Sequence, residues 1–591
     1  MAKIALQYYQ RPFQLFHKFI SNKYTSDTNH IRTSFWSLVP NGVYSDIRAQ
    51  DLFWSYAKSL ESKSGKIVGQ YSMAYWLHLS RRIGINSGGP NKEASTIETN
   101  RINIIALIQK YGTKTICNHI NTSKEIDIKS IFNGLLLSKE FEYERKIIEQ
   151  SPSQLVLTDF DHNNLLEYYE VEKISYELWV CGAKLRAIGK GAKVHVSQAL
   201  PEFFIEERDN NLARLIENYD NRLSSTSASE TGTMFQEAKP KSSSLILLPI
   251  LNVQGESIAY MNDFFKSNLN FIISDEQAVN YLLIPYPIRK YLKSHLPFEK
   301  DFIKQNKVNF KHIITLITSL CWRALHLTIE ERSSIYINWI SRGYEGPSTK
   351  EGIIGEAYYY SPIAGKILKE EETTIEQLTS AFEYLENRHQ ENVNIFDRGT
   401  LKLLIQTGEN HYFIDYSLIP IILNNLFDKI SLNEHGFRGP LFEEAIEKKS
   451  YLPTTPCKGL DRSSKQIDFS HLIGDVLIIA ECKAAARRSS FFNGSHNALK
   501  LRESKVIEKG ITQIEQKAQW LIQHKKGTNY NIENVKYIIP VAISPFVEYI
   551  PYTSKRYWLN DILPRVLSID EFLELINSFD ISDIKYNIVE I

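Results

Sequence analysis

A chain of 591 residues is long enough for about three to four domains. Its 43% hydrophobic and 23% charged content is that of globular protein and excludes a disordered or fibrous class. A net charge of +1 excludes a polycationic coat, so any nucleic-acid contact has to be local.

Five cysteines, at 117, 181, 321, 457 and 482, form no Cys-x-x-Cys pair, which excludes a cysteine-based zinc ribbon and suits a reducing compartment. No apolar run approaches roughly 18 residues, and the first residues lack the apolar segment and cleavage site of a signal peptide. A soluble, cytoplasmic protein with no membrane span is expected.

In chain order, residues 1–220 read as a mixed α/β region of unknown role. Helices are expected over 50–61, 69–82, 100–110 and 138–149, and strands over 174–181 and 184–197. Ser87-Gly-Gly-Pro90 lacks both a preceding strand and a following Gly-Lys-Ser/Thr, so it is a loop and no phosphate cradle. Residues 221–244 are small, polar and unpatterned, the composition of a linker or mobile loop.

Residues 245–432 read as mainly helical, with helices over 310–328, 374–387, 399–407 and 418–429, a polar loop over 344–352 and a short strand over 411–416. These first 432 residues carry no Walker motif, dinucleotide fingerprint, His-rich pattern or internal repeat. Their expected role is to recognise substrate, to form a homo-oligomer or bind a partner protein, or to sense a trigger.

The chemistry concentrates further on. Val476 to Ala480 is an unbroken apolar run, rich in β-branched residues, that reads as a strand buried on both faces. It ends in Glu481 and Lys483, which the period of two in a strand turns to one side, while Cys482 turns to the other as a core thiol.

Gly474-Asp475 has the Gly-first signature of a two-residue hairpin turn. If Ile473 pairs with Val476, Asp468 falls opposite Glu481, with Cβ atoms about 5 Å apart. Carboxylates that close repel, and a hard cation such as Mg²⁺ between them resolves the conflict. Lys483 then serves a water or the charge building on a phosphate. The bland alternative is a salt bridge between Asp468 and Lys483 at a sheet edge. Glu-x-Lys also occurs at Glu61, Glu144, Glu237, Glu447, Glu503 and Glu515, but only Glu481 follows five apolar residues and an in-register Asp.

Asp468, twelve residues, then Glu481-Cys482-Lys483 at the end of an apolar strand resembles the PD-(D/E)xK nuclease superfamily. The resemblance spans roughly 434–575 and departs from the pattern in having no Pro before Asp468. It implies a restriction-endonuclease-like α/β sandwich over 433–591, behind the mixed and mainly helical regions. It also implies a metal, Mg²⁺ or Mn²⁺, held by Asp468 and Glu481, with Lys483 serving the attacking water. The acidic residue that the family often carries on a preceding helix, here over 439–449, looks like Glu443, with Glu444 as substitute, as a third metal ligand or a partner to the ligands. Gln513, or else Gln516, resembles the Gln on the helix after the Glu-x-Lys strand.

That helix, over 506–524, carries apolar residues at 507, 511, 514, 518, 521 and 522 and lines up Lys509, Gln513, Gln516 and Trp520 on its other face. Strands over 535–544 and 565–569 and a helix over 570–576 complete the unit. Between Gly436 and Lys526, sixteen Lys and Arg stand against ten Asp and Glu. Arg487, Arg488, Lys500, Arg502, Lys505 and Lys509 are the expected contacts to backbone phosphates, and the loop 484–497, with Phe491-Phe492, is expected to face substrate.

The resemblance therefore implies a Mg²⁺-dependent nuclease acting on phosphodiester bonds, of DNA in preference to RNA because the family acts mostly on DNA. In a bacterium this fits restriction or anti-phage defence. The alternative is a non-catalytic nucleic-acid- or protein-binding module that uses the same fold.

Overall fold

The computed structural model describes residues 25–83, 94–114, 162–237, 246–250, 282–286, 298–330, 344–368, 373–406, 410–426, 449–453, 455–483, 485, 487 and 489–591. The helices expected over 138–149 and 439–449, the loop at 87–90, and with them Glu443 and Arg488, lie outside the described residues. Among the described residues no helix is long and apolar enough to cross a membrane.

Helix α1 (Thr28–Trp36), strand β1 (Gly42–Tyr44), α2 (Asp46–Val68), α3 (Met73–Ile83), α4 (Ala94–Tyr111) and α5 (His162–Gly189) open the chain. In α5, Val171, Ile174, Leu178, Cys181, Leu185 and Ile188 recur every three or four residues and all are fully buried, the stripe that packs on α2. The strand expected over 174–181 is therefore helix. Eight residues read at period two put Ile174, Tyr176, Leu178 and Val180 on one side, but only the helical period accounts for the whole of 171–188.

Strands β2 (Lys193–Val196) and β3 (Phe204–Glu207) complete an antiparallel sheet in the order β1-β2-β3. Helix α6 (Asn210–Glu237) occupies most of the expected linker 221–244. Tertiary contact overrides the polar composition there: Leu215, Ile216 and Tyr219 are buried against Val506, Ile507 and Tyr549, and the Arg222 guanidinium donates to both Glu571 oxygens, at 2.7 and 3.1 Å.

After β4 (Ile246–Ile250) and its antiparallel partner β5 (Leu282–Tyr286) come α7 (Glu299–Asn306), α8 (Phe310–Glu330), β6 (Tyr344–Thr349), α9 (Lys350–Leu368) and α10 (Ile375–Leu385). Strands β7 (Leu404–Gln406) and β8 (His411–Asp415) and the short α11 (Ile419–Asn425) close this part. Helix α10, within the span expected to be helical, starts on the capping box of Thr374 and Gln377.

Two expectations fail here. The polar stretch 344–352 is strand β6 running into α9, because its Gly-Pro marks a bulge: Gly346 has φ of 135° and the pairing with β8 slips between Glu345 and Ser348. The helix expected over 399–407 is a single 3₁₀ turn followed by β7, which pairs with the predicted strand β8. Residues from Trp36 to Leu426 share one buried apolar core, so the division between 1–220 and 245–432 does not divide the packing.

The C-terminal unit adds a small ribbon, β9 (Cys457–Lys458) with β10 (Ser464–Lys465), and a mixed sheet. In that sheet β11 (Phe469–Ile473) and β12 (Val476–Cys482) form the expected hairpin with Ile473 opposite Val476. Gly474 takes the positive φ, 61°, that a Gly-first turn demands.

Beyond β12 come α12 (Ser489–Phe492), α13 (His496–Arg502), a π turn over Glu503–Glu508 and α14 (Lys509–Gln523). Strand β13 (Tyr537–Ser544) then joins β12 in parallel, β14 (Val566–Ser568) joins β13 in parallel, α15 (Ile569–Asn577) follows, and β15 (Val589–Glu590) pairs antiparallel with β13.

Alternation along these strands sorts the two faces. Leu477, Ile479 and Ile538 pack under Ile514, Ala518 and Leu521 of α14. Val476, Ile478, Ala480, Ile539, Val541 and Ile543 pack under Phe572 and Ile576 of α15. The sheet is buried on both faces, each Val, Leu, Ile or Phe side chain contributing roughly 1.5–3 kcal/mol. That explains why β12 reads as an unbroken apolar run.

Candidate functional site

The hairpin register carries one step past Phe469 and Ala480, so Asp468 and Glu481 stand opposite each other at the open end. Glu481 lies on the α14 face, in step with Leu477 and Ile479, and Cys482 packs on the α15 side. The backbone N–H of Cys482 donates to Asp468 Oδ2 at 2.9 Å, which fixes the aspartate against the strand end. Lys483 continues the parallel ladder, its N–H donating to Ile543 O at 2.8 Å.

Lys483 Nζ donates to Glu481 Oε1 at 2.6 Å and also to Gln513 Oε1. A Cβ on Gly510 would lie 3.1 Å from Ala542 Cβ and 3.5 Å from Lys483 Cγ, so the first turn of α14 packs closely on β13 with the lysine stem beside it. Asp468, Glu481, Lys483 and Gln513 therefore converge. The alternative ion pair of Asp468 with Lys483 is not formed, because a different lysine serves Asp468.

That residue is Lys517, which the sequence reading missed. Its Nζ donates to Asp468 Oδ1 at 2.9 Å and to Glu481 Oε2. The available signal was the spacing Gln513-x-x-x-Lys517, one helical turn on one face. The face drawn through Gln516 and Trp520 is not the site face: Gln516 is exposed, and Trp520 is buried and stacked on His524.

Electrostatics sets the two carboxyls apart. Burial, then the neighbouring Glu481 charge, raises Asp468 above its ordinary value against the pull of Lys517. Burial pushes Glu481 the same way, but Lys517 and Lys483 outweigh it and hold that carboxyl low. Burial would lower Lys517, yet the two carboxylates keep it high. Two hard oxygen ligands already bridged by a cation are a donor set that fits Mg²⁺ or Mn²⁺. Among the described residues no group of three or more His, Cys, Asp or Glu converges as a metal site.

Two of the expected phosphate contacts turn inward. Arg487 is 3% exposed, stacks over Phe491 and Phe546 at 4.8 and 4.5 Å and donates to Val547 O. Arg502 is buried in an ion pair with Glu548. Both are core cations, and the basic count overstated the surface charge. Lys500, Lys505 and Lys509 are exposed, Lys500 with Glu503 at 2.7 Å.

The expected substrate-facing loop is also corrected where it is described. Ser489–Phe492 is helical, Phe491 is buried, and Gly494 is seated on α5 with Gln50 Nε2 donating to its carbonyl. Gly494 has φ of 71°, and a Cβ there would lie 2.6 Å from Arg186 Cα. Gly494→Ala is expected to cost roughly 1–3 kcal/mol by overpacking. The urea midpoint reads this, and an unchanged midpoint would show that the α5 contact is loose.

At the far end of α14, His524 Nε2 lies 3.1 Å from Asp461 and 3.3 Å from Ser463 Oγ, while Nδ1 lies 2.8 Å from Trp520 O. Ser463 and Asp461 share one ring nitrogen and the other faces a carbonyl, so both nitrogens are engaged and the arrangement favours the protonated imidazole. Its bonds to Trp520 O and Asp461 raise the histidine, and bonds from Ser463 and His524 hold Asp461 down to about 2. The stabilisation from the pair is full between the unfolded values, about 3.9 and 6.5. It is lost as pH rises through the folded histidine value or falls through the folded aspartate value. NMR titration should find His524 above about 6.5, and Asp461→Asn should lower it while the bond to Trp520 O still holds it up.

Comparisons with family models, with curated proteins and with solved structures return no match.

Proposed function

We propose that the C-terminal unit is a metal-dependent nuclease of the PD-(D/E)xK type that hydrolyses phosphodiester bonds of DNA. The observation that carries this reading is the opposition of Asp468 and Glu481 across the hairpin, with Lys483 on the same face. A hairpin followed by parallel strands, with α14 on one face and α15 on the other, supports the restriction-endonuclease-like arrangement.

Asp468 and Glu481 would hold Mg²⁺ or Mn²⁺. When bound, such an ion neutralises phosphate charge and acidifies water. Lys483, fixed between Glu481 and Gln513, presents an ammonium beside the carboxylates for a phosphate oxygen on which charge builds. Gln513 acts on Lys483 as a positioning residue. Exposed Lys505 in the π turn and Lys509 at the start of α14 suit backbone phosphates, which are held without sequence information. In a bacterium this activity would serve restriction or anti-phage defence.

Incubation of the full chain with supercoiled plasmid tests the reading, in Mg²⁺ or Mn²⁺ and in EDTA, beside Asp468→Asn and Lys483→Ala. Metal-dependent nicking that both substitutions remove supports it. Retention of DNA or RNA without cutting in every metal supports the binding module instead.

A further inference from the structure

We propose that the Lys517 ammonium is the resident counter-cation of the Asp468–Glu481 pair and has to leave it before a divalent ion is taken up, so that Lys517 sets the metal affinity of the site. The inference rests on the reading of that pair as a metal site and adds how access to it is controlled.

Two lysines reach the carboxylates, and they are held differently. Lys483 is tied to Gln513 as well as to Glu481, with its stem laid against Gly510. The hydrogen bonds of Lys517 go to the two carboxylates themselves, at Asp468 Oδ1 and Glu481 Oε2. A divalent ion bridging the pair needs the same oxygens. Asp468 Oδ2 stays bound to the Cys482 N–H, so the aspartate keeps its orientation when its other oxygen changes partner.

Charge gives the same answer. Asp468 and Glu481 are already balanced by Lys483 and Lys517, and all four side chains are at most 16% exposed. A divalent ion added to that cluster brings two uncompensated charges into a poorly hydrated site, which is costly. Withdrawal of Lys517 on its flexible four-carbon stem removes one of them. If the ammonium-closed form dominates, the apparent metal affinity falls by the fraction of molecules in the open form.

The test uses the full chain as wild type, K517M, K517Q, D468N and D468N/K517M, with Mn²⁺ binding followed by electron paramagnetic resonance and thermal unfolding followed in EDTA and in Mn²⁺. Open fractions of about one in ten or less predict an Mn²⁺ Kd roughly tenfold or more lower in K517M and K517Q than in wild type. In EDTA K517M and K517Q should unfold at lower temperature than wild type, Mn²⁺ should restore them, and D468N/K517M should be stable without metal. K517Q keeps a hydrogen-bonding side chain, so it reports even if K517M does not accumulate in folded form.

Mn²⁺ binding to K517M and K517Q no tighter than to wild type overturns the inference and leaves the nuclease reading standing. Tighter binding that D468N abolishes, with plasmid intact in every protein, supports the inference and overturns the hydrolytic reading. No Mn²⁺ binding to any of the proteins overturns both.

Discussion

Lys483→Ala is expected to lower Mg²⁺-dependent plasmid cleavage by about 10²–10³-fold, the usual effect of removing one preorganised donor from a site of developing charge. The side chain is 14% exposed and bonded at both Glu481 and Gln513, so it is positioned before substrate arrives and water substitutes for it poorly. Asp468→Asn should be at least as damaging, because it removes one of the two charges that draw a cation to the hairpin. Cleavage time courses at saturating Mg²⁺ read both. Gln513→Ala is the informative control. It frees Lys483 without removing it, so a loss smaller than that of Lys483→Ala is expected, and an equal loss would make Gln513 itself a contact to substrate. If Lys483→Ala cuts as fast as wild type, the lysine is structural and its assigned role in cleavage falls.

Glu548→Ala is expected to destabilise the C-terminal unit by about 3–5 kcal/mol, the cost of leaving a buried charge without its partner. Glu548 is fully buried, and its Oε2 accepts from Arg502 Nε at 3.1 Å. Its Oε1 accepts from Ser544 Oγ at 2.6 Å and from Arg502 Nη2. Burial works to raise this carboxyl, but Arg502 overrides it and holds the value low, so the stabilisation is present at neutral pH and lost as pH falls through the folded value.

The network also fixes backbone near the site, since Arg502 Nη1 donates to Ala485 O at 2.8 Å, two residues beyond Lys483, and Arg222 of α6 donates to Glu548 O at 3.0 Å. Urea unfolding monitored by tryptophan fluorescence, with Trp520 and Trp558 in this unit, measures the loss. The double substitution Arg502→Met with Glu548→Leu should recover most of it, because a buried ion pair exchanged whole for apolar side chains is often neutral. A Glu548→Ala shift below about 1 kcal/mol would mean that water reaches Arg502 in the folded protein.

Much of the C-terminal unit was legible without coordinates because its signals are local. Gly474-Asp475 specifies the turn, the turn specifies the register, and the register puts Asp468 opposite Glu481 by parity alone. The helix over α14 follows from periodicity long enough to be unambiguous, and the strand over β13 from an apolar run too short for a helix. The errors fell where a short window was read against long-range packing: 174–181 belongs to a helix whose stripe extends beyond it, and 221–237 continues a helix anchored on the C-terminal unit by Leu215, Ile216, Tyr219 and Arg222.

By itself the amino-acid order determined the hairpin, its register, and the side of the strand on which Glu481 and Lys483 emerge, since all three depend on neighbours within a few residues. Only the tertiary structure decided that Arg487 and Arg502 are core cations, that the stretch after the strand is clamped on α5, and that Lys517 rather than Lys483 answers Asp468. Which charge meets which depends on where α14 crosses the sheet, and that crossing is set by buried contacts among residues far apart in the chain.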